Sequence, residues 1–186
     1  MKATEARLKA ALDRPPADIR LYLLFGPDEA GALALAERIT RAMGPEAERV
    51  DLDGPALRSD PARLADEAAS LSLFGGARHI RVTGAGEESL AAVTALLAAD
   101  RAGNPTVMIA PGLKATSKVT KLALDSSAAM ALACYVPGGD QLEGIAAEIA
   151  REQGLRLGAG VARRLAQAGG GDRAVMMREI EKLALY

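Results

Sequence analysis

The sequence predicts an α/β fold, a parallel sheet with helices on both faces, followed by a smaller all-helical domain. Three observations predict it. Short apolar or alternating runs recur between helix-periodic segments up to residue 137, and strand–helix alternation of this kind builds parallel sheets. Pro137-Gly138-Gly139 then punctuates the chain, and nothing after it has the pattern of a strand. The first apolar run, Leu21–Phe25, leads into Gly26 and Gly31, spaced as in G-x-x-x-x-G, and then into a helix. That is the strand–loop–helix context of a phosphate-binding loop.

Each element follows from local pattern. Glu5–Leu12 has Ala6, Leu8, Ala11 and Leu12 at helical spacing, and Pro15-Pro16 ends it. Ile19–Phe25 is the first strand. Ala30–Met43 is a helix with an apolar stripe of Leu33, Leu35, Ala36 and Ile39, stopped by Gly44-Pro45. Ala47–Leu52 is a second strand, closed by Asp53-Gly54-Pro55. Ser59 or Asp60 caps a helix that carries Pro61 in its first turn and runs to Ala69. Arg78–Val82 alternates and is β-branched, so a strand is expected. Glu87–Ala99 is helical. Thr106–Ala110 is an apolar run between prolines and forms a buried strand; Ser117–Leu124 is helical and Met130–Val136 is the last strand. Gln141–Gln153, Ala159–Ala168 and Asp172–Tyr186 are three helices, the last two separated by glycines. The expected domains are therefore 1–137 and 138–186, the second small enough to lean on the first or on a partner.

Composition narrows function. Of 186 residues 49% are apolar but only 3% aromatic, with no Trp, so the core is built from Ala, Leu, Val and Ile. A formal net charge of −1 supplies no global basic field toward nucleic acid. The single Cys134 lies in an apolar run and excludes an internal disulfide. No signal-like segment or membrane-spanning run is present, so a cytoplasmic location and no membrane partner are expected.

The loop after the first strand lacks the chemistry its spacing suggests. Ala32 and Leu33 occupy the positions of the Lys that meets the β/γ-phosphates and of the Mg²⁺-holding Ser/Thr. Asp28 and Glu29 place negative charge where phosphate would sit. The apolar strand at 106–110 ends in Ala110-Pro111, with no acid to hold Mg²⁺. No cofactor is expected. Spacing alone does not separate a degenerate nucleotide site from two glycines placed by chance in a Gly-rich chain. His79 is the only histidine, with no metal-ligating or catalytic companion, so neither a metal site nor catalytic residues are expected.

Two further segments stand out. Lys114, Lys118 and Lys121 form the densest positive cluster, with Lys118 and Lys121 on one helical face. A solvated face and a contact with DNA or an acidic partner are both open. Ser70-Leu71-Ser72-Leu73-Phe74-Gly75-Gly76 spends one of two Phe beside two glycines, between a helix and a strand. An apolar pair at an exposed loop tip would anchor in a partner's pocket. A helix end whose Leu and Phe cap the core is the other possibility.

The stretches LYLLFGPDE at 21–29, SLSLFGGARHIRV at 70–82, GLKATSKVTKL at 112–122 and EIEKLALY at 179–186, in this order and spacing, resemble the delta subunit of bacterial DNA polymerase III, the clamp-loader subunit that opens the sliding clamp. The resemblance spans nearly the whole chain, and SLSLFGG and EIEKLALY are its most specific parts. It implies an AAA+-like fold with a degenerate, non-hydrolysing nucleotide site and a helical lid domain at 138–186. It also implies a role in DNA replication, as part of the polymerase III holoenzyme and not as an enzyme by itself. The implied partners are the sliding clamp (the beta subunit), the other clamp-loader subunits and, weakly or indirectly, DNA. Clamp binding falls on Leu73 and Phe74, flanked by Ser70, Leu71 and Gly75. The family continues past EIEKLALY into a helical collar domain that these residues do not include, so the resemblance covers clamp contact and not collar assembly. The rival expectation is a P-loop-like NTPase with a non-standard site, against which Ala32, Leu33 and Ala110 speak.

Overall fold

The computed structural model describes residues 2–72, 76–170 and 172–185. They divide into two units, Met1–Tyr135 and Val136–Tyr186. In the first, five parallel strands are ordered β2-β3-β4-β1-β5, with β1 Leu21–Phe25, β2 Glu48–Asp53, β3 Arg78–Thr83, β4 Thr106–Ala110 and β5 Ala129–Ala133. The interior strand β1 pairs with β4 in the register Leu21 to Thr106 and with β5 in the register Leu21 to Ala129. Parallel strands need crossover connections, and helices supply them.

Alternation along β1 divides the core. Leu21, Leu23 and Phe25 face one cluster, covered by α3 Gly54–Ser59, α4 Arg63–Ala69, α5 Leu90–Ala98 and α6 Lys118–Asp125. Tyr22 and Leu24 face the other, covered by α1 Glu5–Asp13 and α2 Glu29–Met43. All five β1 residues are buried, as a strand covered on both faces requires. The second unit packs α7 Gly139–Glu152, α8 Val161–Ala168 and α9 Arg173–Leu183 around Ala146, Ile149, Ala150, Ala166, Met176 and Ile180.

The structure corrects several sequence expectations. Asp53-Gly54-Pro55 does not merely close a strand but opens α3. The Asp53 carboxylate accepts from Ala56 N at 2.8 Å, and Pro55 sits in the first turn where its missing N–H costs nothing. The following helix begins only at Arg63. The helix expected from Glu87 opens as a 3₁₀ turn, Glu87–Ser89, before α5. Leu33 is not in the buried stripe of α2; that stripe is Gly31, Ala32, Leu35, Ala36 and Ile39. β5 stops at Ala133, short of Val136, because its partner β1 ends at Phe25; Cys134 makes the last backbone bonds to that side, with Phe25 O and Asp28 N, and Tyr135 and Val136 are exposed.

His79 lies on β3 beneath α2, buried, with Nε2 3.1 Å from Thr40 Oγ1. Its neighbour Arg81 donates to Glu37 Oε1 at 2.7 Å and to Thr40 Oγ1 at 2.9 Å. Burial, and then the positive charges of Arg81 and Arg49, hold the imidazole pKa below its ordinary value. The unfolded chain therefore binds a proton near pH 6.5 that the folded chain refuses, and stability falls as pH drops below that point. Because no second histidine titrates there, His79→Gln should flatten the denaturant-midpoint profile between pH 7 and 5.5. Parallel profiles for the two proteins would refute this assignment.

Candidate functional site

The loop joining β1 to α2 is closed on itself. Gly26 has φ +108°, and its N–H faces the Ala110 carbonyl at 3.4 Å. Asp28 N donates to Cys134 O at 3.1 Å and Glu29 N to Pro27 O at 3.1 Å. The Asp28 side chain turns back to accept from Gly31 N at 2.9 Å, and Ala32 N bonds Asp28 O at 3.0 Å. In a phosphate-binding loop such N–H groups and the helix N-terminus face the anion. Here a carboxylate of the chain itself takes the anion's place, the N-cap role that Asp fills well.

The two motif substitutions fit that arrangement. Ala32 is 2% exposed and packs in the cluster that holds Leu24, Leu35 and Cys134, so this position contributes to the core and brings no cation to the loop. Leu33 points away from the core and is 37% exposed. At the end of β4, Ala110 is buried and offers no carboxylate. The Cys134 thiol is pushed up to about 12 by burial, reinforced by the Asp28 and Glu5 charges, so it holds its proton at neutral pH and is no nucleophile. A cleft of about 350 Å³ beside the loop is walled by Phe25, Pro27, Leu113 and Tyr135, with Lys114 its one charged lining residue. Calorimetry with Mg-ATP should show no saturable binding up to near-millimolar concentration and no phosphate release. Saturable micromolar binding would overturn that expectation.

Lys114, Lys118 and Lys121 are all exposed, on and just before α6. None of them joins an ion pair among the described residues. The positive face is not pure, since the Glu87 carboxylate accepts from Lys118 N at 2.9 Å and so caps the start of α6. Among the described residues no group of acids, His and Cys is placed to hold a metal ion. No helix of the described residues is long and apolar enough to cross a membrane.

The segment after α4 is the other candidate. Leu73, Phe74 and Gly75 lie outside the described residues. Its described flank carries Leu71, 91% exposed, an apolar side chain that folding does not bury. Ser70, half-buried, donates through its hydroxyl to Asp66 O at 2.6 Å. Sequence reasoning missed the residues that tie this segment down. Asn104 donates from Nδ2 to Glu67 O at 2.9 Å and to Ser70 O at 2.7 Å. Arg78 pairs with Glu67 at 2.8 Å and Glu48 at 3.2 Å. The only local signal was the turn tripeptide Gly103-Asn104-Pro105, which announces a loop but not a partner more than thirty residues away.

No protein-family description matches the sequence, and no curated protein matches it either. Solved structures do match. A Bacillus subtilis DNA clamp loader delta protein (YqeN) superposes with a TM-score of 0.71 at 17% identity, over 96% of this chain and 56% of that one. A point-substituted form of Thermotoga maritima RuvB gives 0.52 at 16% identity over 94% and 57%; the T. maritima RuvB Holliday junction branch migration motor gives 0.50 at 17% with the same coverage. The chain thus spans somewhat over half the length of these proteins. At such identities the likeness is one of fold: this chain shares the α/β fold, a parallel sheet flanked by helices, with these proteins.

Proposed function

We propose that this chain is a clamp-loader subunit of the delta type, which binds a DNA sliding clamp and helps to open it while other subunits handle ATP. One observation carries this reading above the rest. The fold matches a clamp loader delta protein over 96% of the chain, yet the loop that would hold nucleotide in a P-loop protein has its donors bonded internally and a carboxylate at the helix end. The rival, an NTPase with a non-standard site, requires a phosphate to displace Asp28 from Gly31 with no lysine to compensate its charge. The clamp contact falls on Leu73 and Phe74, with Ser70, Leu71 and Gly75 as flanks; the exposure of Leu71 supports an apolar presenting segment. Residues 138–186 are the lid, and the remaining clamp-loader subunits are the other partners.

Titration of the purified chain against an immobilised purified sliding clamp tests the proposal. Saturable binding supports it, and no binding at tens of micromolar refutes it. The lysine face adds a weak, salt-sensitive contribution to binding of DNA or of an acidic partner surface. Changing Lys114, Lys118 and Lys121 together to Glu should leave the fold intact and reduce the slope of affinity against salt. An unchanged slope for every ligand would leave these lysines as a solvated face.

A further inference from the structure

We infer that Asn104 is a positioning residue for clamp binding, fixing the chain at the end of α4 as far as Ser70, just before the presenting segment, without touching the clamp itself. The inference rests on the clamp-binding reading above and adds to it a residue outside the presenting segment. Its basis is a set of bonds converging on the end of α4. The Asn104 side-chain amide donates to both Glu67 O and Ser70 O, at 2.9 and 2.7 Å. Its backbone N–H donates to Ala68 O at 3.0 Å. Helix ends leave such carbonyls without partners, and one residue here satisfies three of them along the exit path.

The bond to Ser70 is the informative one. A cap needs only the carbonyls of the last helical turn. Ser70 already has extended backbone, with φ −67° and ψ 148°, so holding its carbonyl sets the direction in which the chain departs. The returning stem is tied to the same place. Arg78 bridges Glu67 and Glu48, and Glu48 N donates to Ala77 O at 2.9 Å. Glu67 therefore joins both stems, its carbonyl held by Asn104 and its carboxylate by Arg78. Fixing the described chain on both sides of a binding segment lowers the ordering that a partner must supply on binding. The chemistry demands an amide: two N–H donors without charge face two carbonyls, and an Asp of the same shape would offer only acceptors.

The test uses the full 186-residue chain and a purified sliding clamp, well below the melting temperature. Asn104→Ala should weaken clamp binding about ten-fold, as expected when the competent conformer falls to roughly a tenth of the population. The loss should appear in the association rate, and amide exchange at 69–78 should quicken in the free chain. Asn104→Asp should match or exceed this loss. Asn104→Ser, which keeps one donor, should fall between and serves if the Ala and Asp variants fold poorly. In a Leu73→Ala/Phe74→Ala background Asn104→Ala should cost nothing further, since nothing is left to position. If the double variant alone leaves clamp affinity intact, it is the clamp-binding reading that fails. If the double variant weakens binding but every folded Asn104 variant binds like the wild type while melting lower, Asn104 is a helix-end cap and the inference is overturned.

Discussion

Replacing Leu73 and Phe74 together with alanine is expected to lower affinity for a sliding clamp by about 100-fold or more, with little change in melting temperature. Burial of a large apolar side chain in a partner's pocket contributes about 1.5–3 kcal/mol. Two of them give about 3–6 kcal/mol, and each 1.4 kcal/mol is a factor of ten in dissociation constant. Fold stability is the control that gives the measurement its meaning. Leu64 and Ala68 of α4 and Ile80 and Val82 of β3, which flank the segment in sequence, are fully buried. Leu71, close to the pair in sequence, is left 91% exposed. The reverse outcome, a large fall in melting temperature with clamp affinity preserved, would falsify the anchor assignment. It would return Leu73 and Phe74 to the role of capping the core at a helix end.

Gly26→Ala should destabilise the fold by about 2–4 kcal/mol, whereas Gly31→Ala should be close to neutral. The two glycines share one motif but not one reason. At Gly26 the φ of +108° lies where a side chain is strained, and an added Cβ would come within 2.6 Å of the Cys134 carbonyl oxygen. That oxygen is backbone, held by the Asp28 N–H, and cannot move aside without opening the joint between β1 and β5. At Gly31 an added Cβ would overlap only the Asp28 carboxylate, the end of a movable side chain. Losing that cap costs about 0.5–2 kcal/mol, and a helical Gly replaced by Ala regains up to about 1 kcal/mol. Chemical denaturation of the two variants side by side decides the matter; equal losses at both positions would refute the distinction.

The sheet was legible in the sequence because β1, β4 and β5 are apolar runs, β2 and β3 carry alternating or β-branched apolar residues, and its helices are punctuated. Thr106–Ala110, fenced by Pro105 and Pro111, is found where the pattern puts it. The misplaced features are those settled by partners distant in sequence. β5 ends where β1 ends, a fact of pairing that the run Ala131–Val136 does not contain. Leu33 carries an apolar label but lies at a helical phase that faces outward. The short helix α3 did carry a local signal, Asp53 followed by Pro55, and was hidden by the habit of treating Asp-Gly-Pro as a turn. At the candidate site, the apolar segment 70–76 and the altered loop at 26–33 were visible as residue types. The groups that hold them, Asn104, Arg78, Glu67 and the Cys134 carbonyl, were not, because each acts through a long-range bond.

The order of strands in the sheet also bears on how the protein is made. β1, an interior strand buried along its whole length, emerges from the ribosome first, but its neighbours do not begin until residues 106 and 129. At about 5–20 residues per second, Leu-Tyr-Leu-Leu-Phe stays without either flanking strand for roughly 4–16 s. Through that interval β2 and β3 can pair only with each other, with nothing to template the centre. The nascent chain thus carries this apolar segment without its sheet partners through most of the synthesis of the α/β unit, an interval in which unpaired apolar strand is exposed to association.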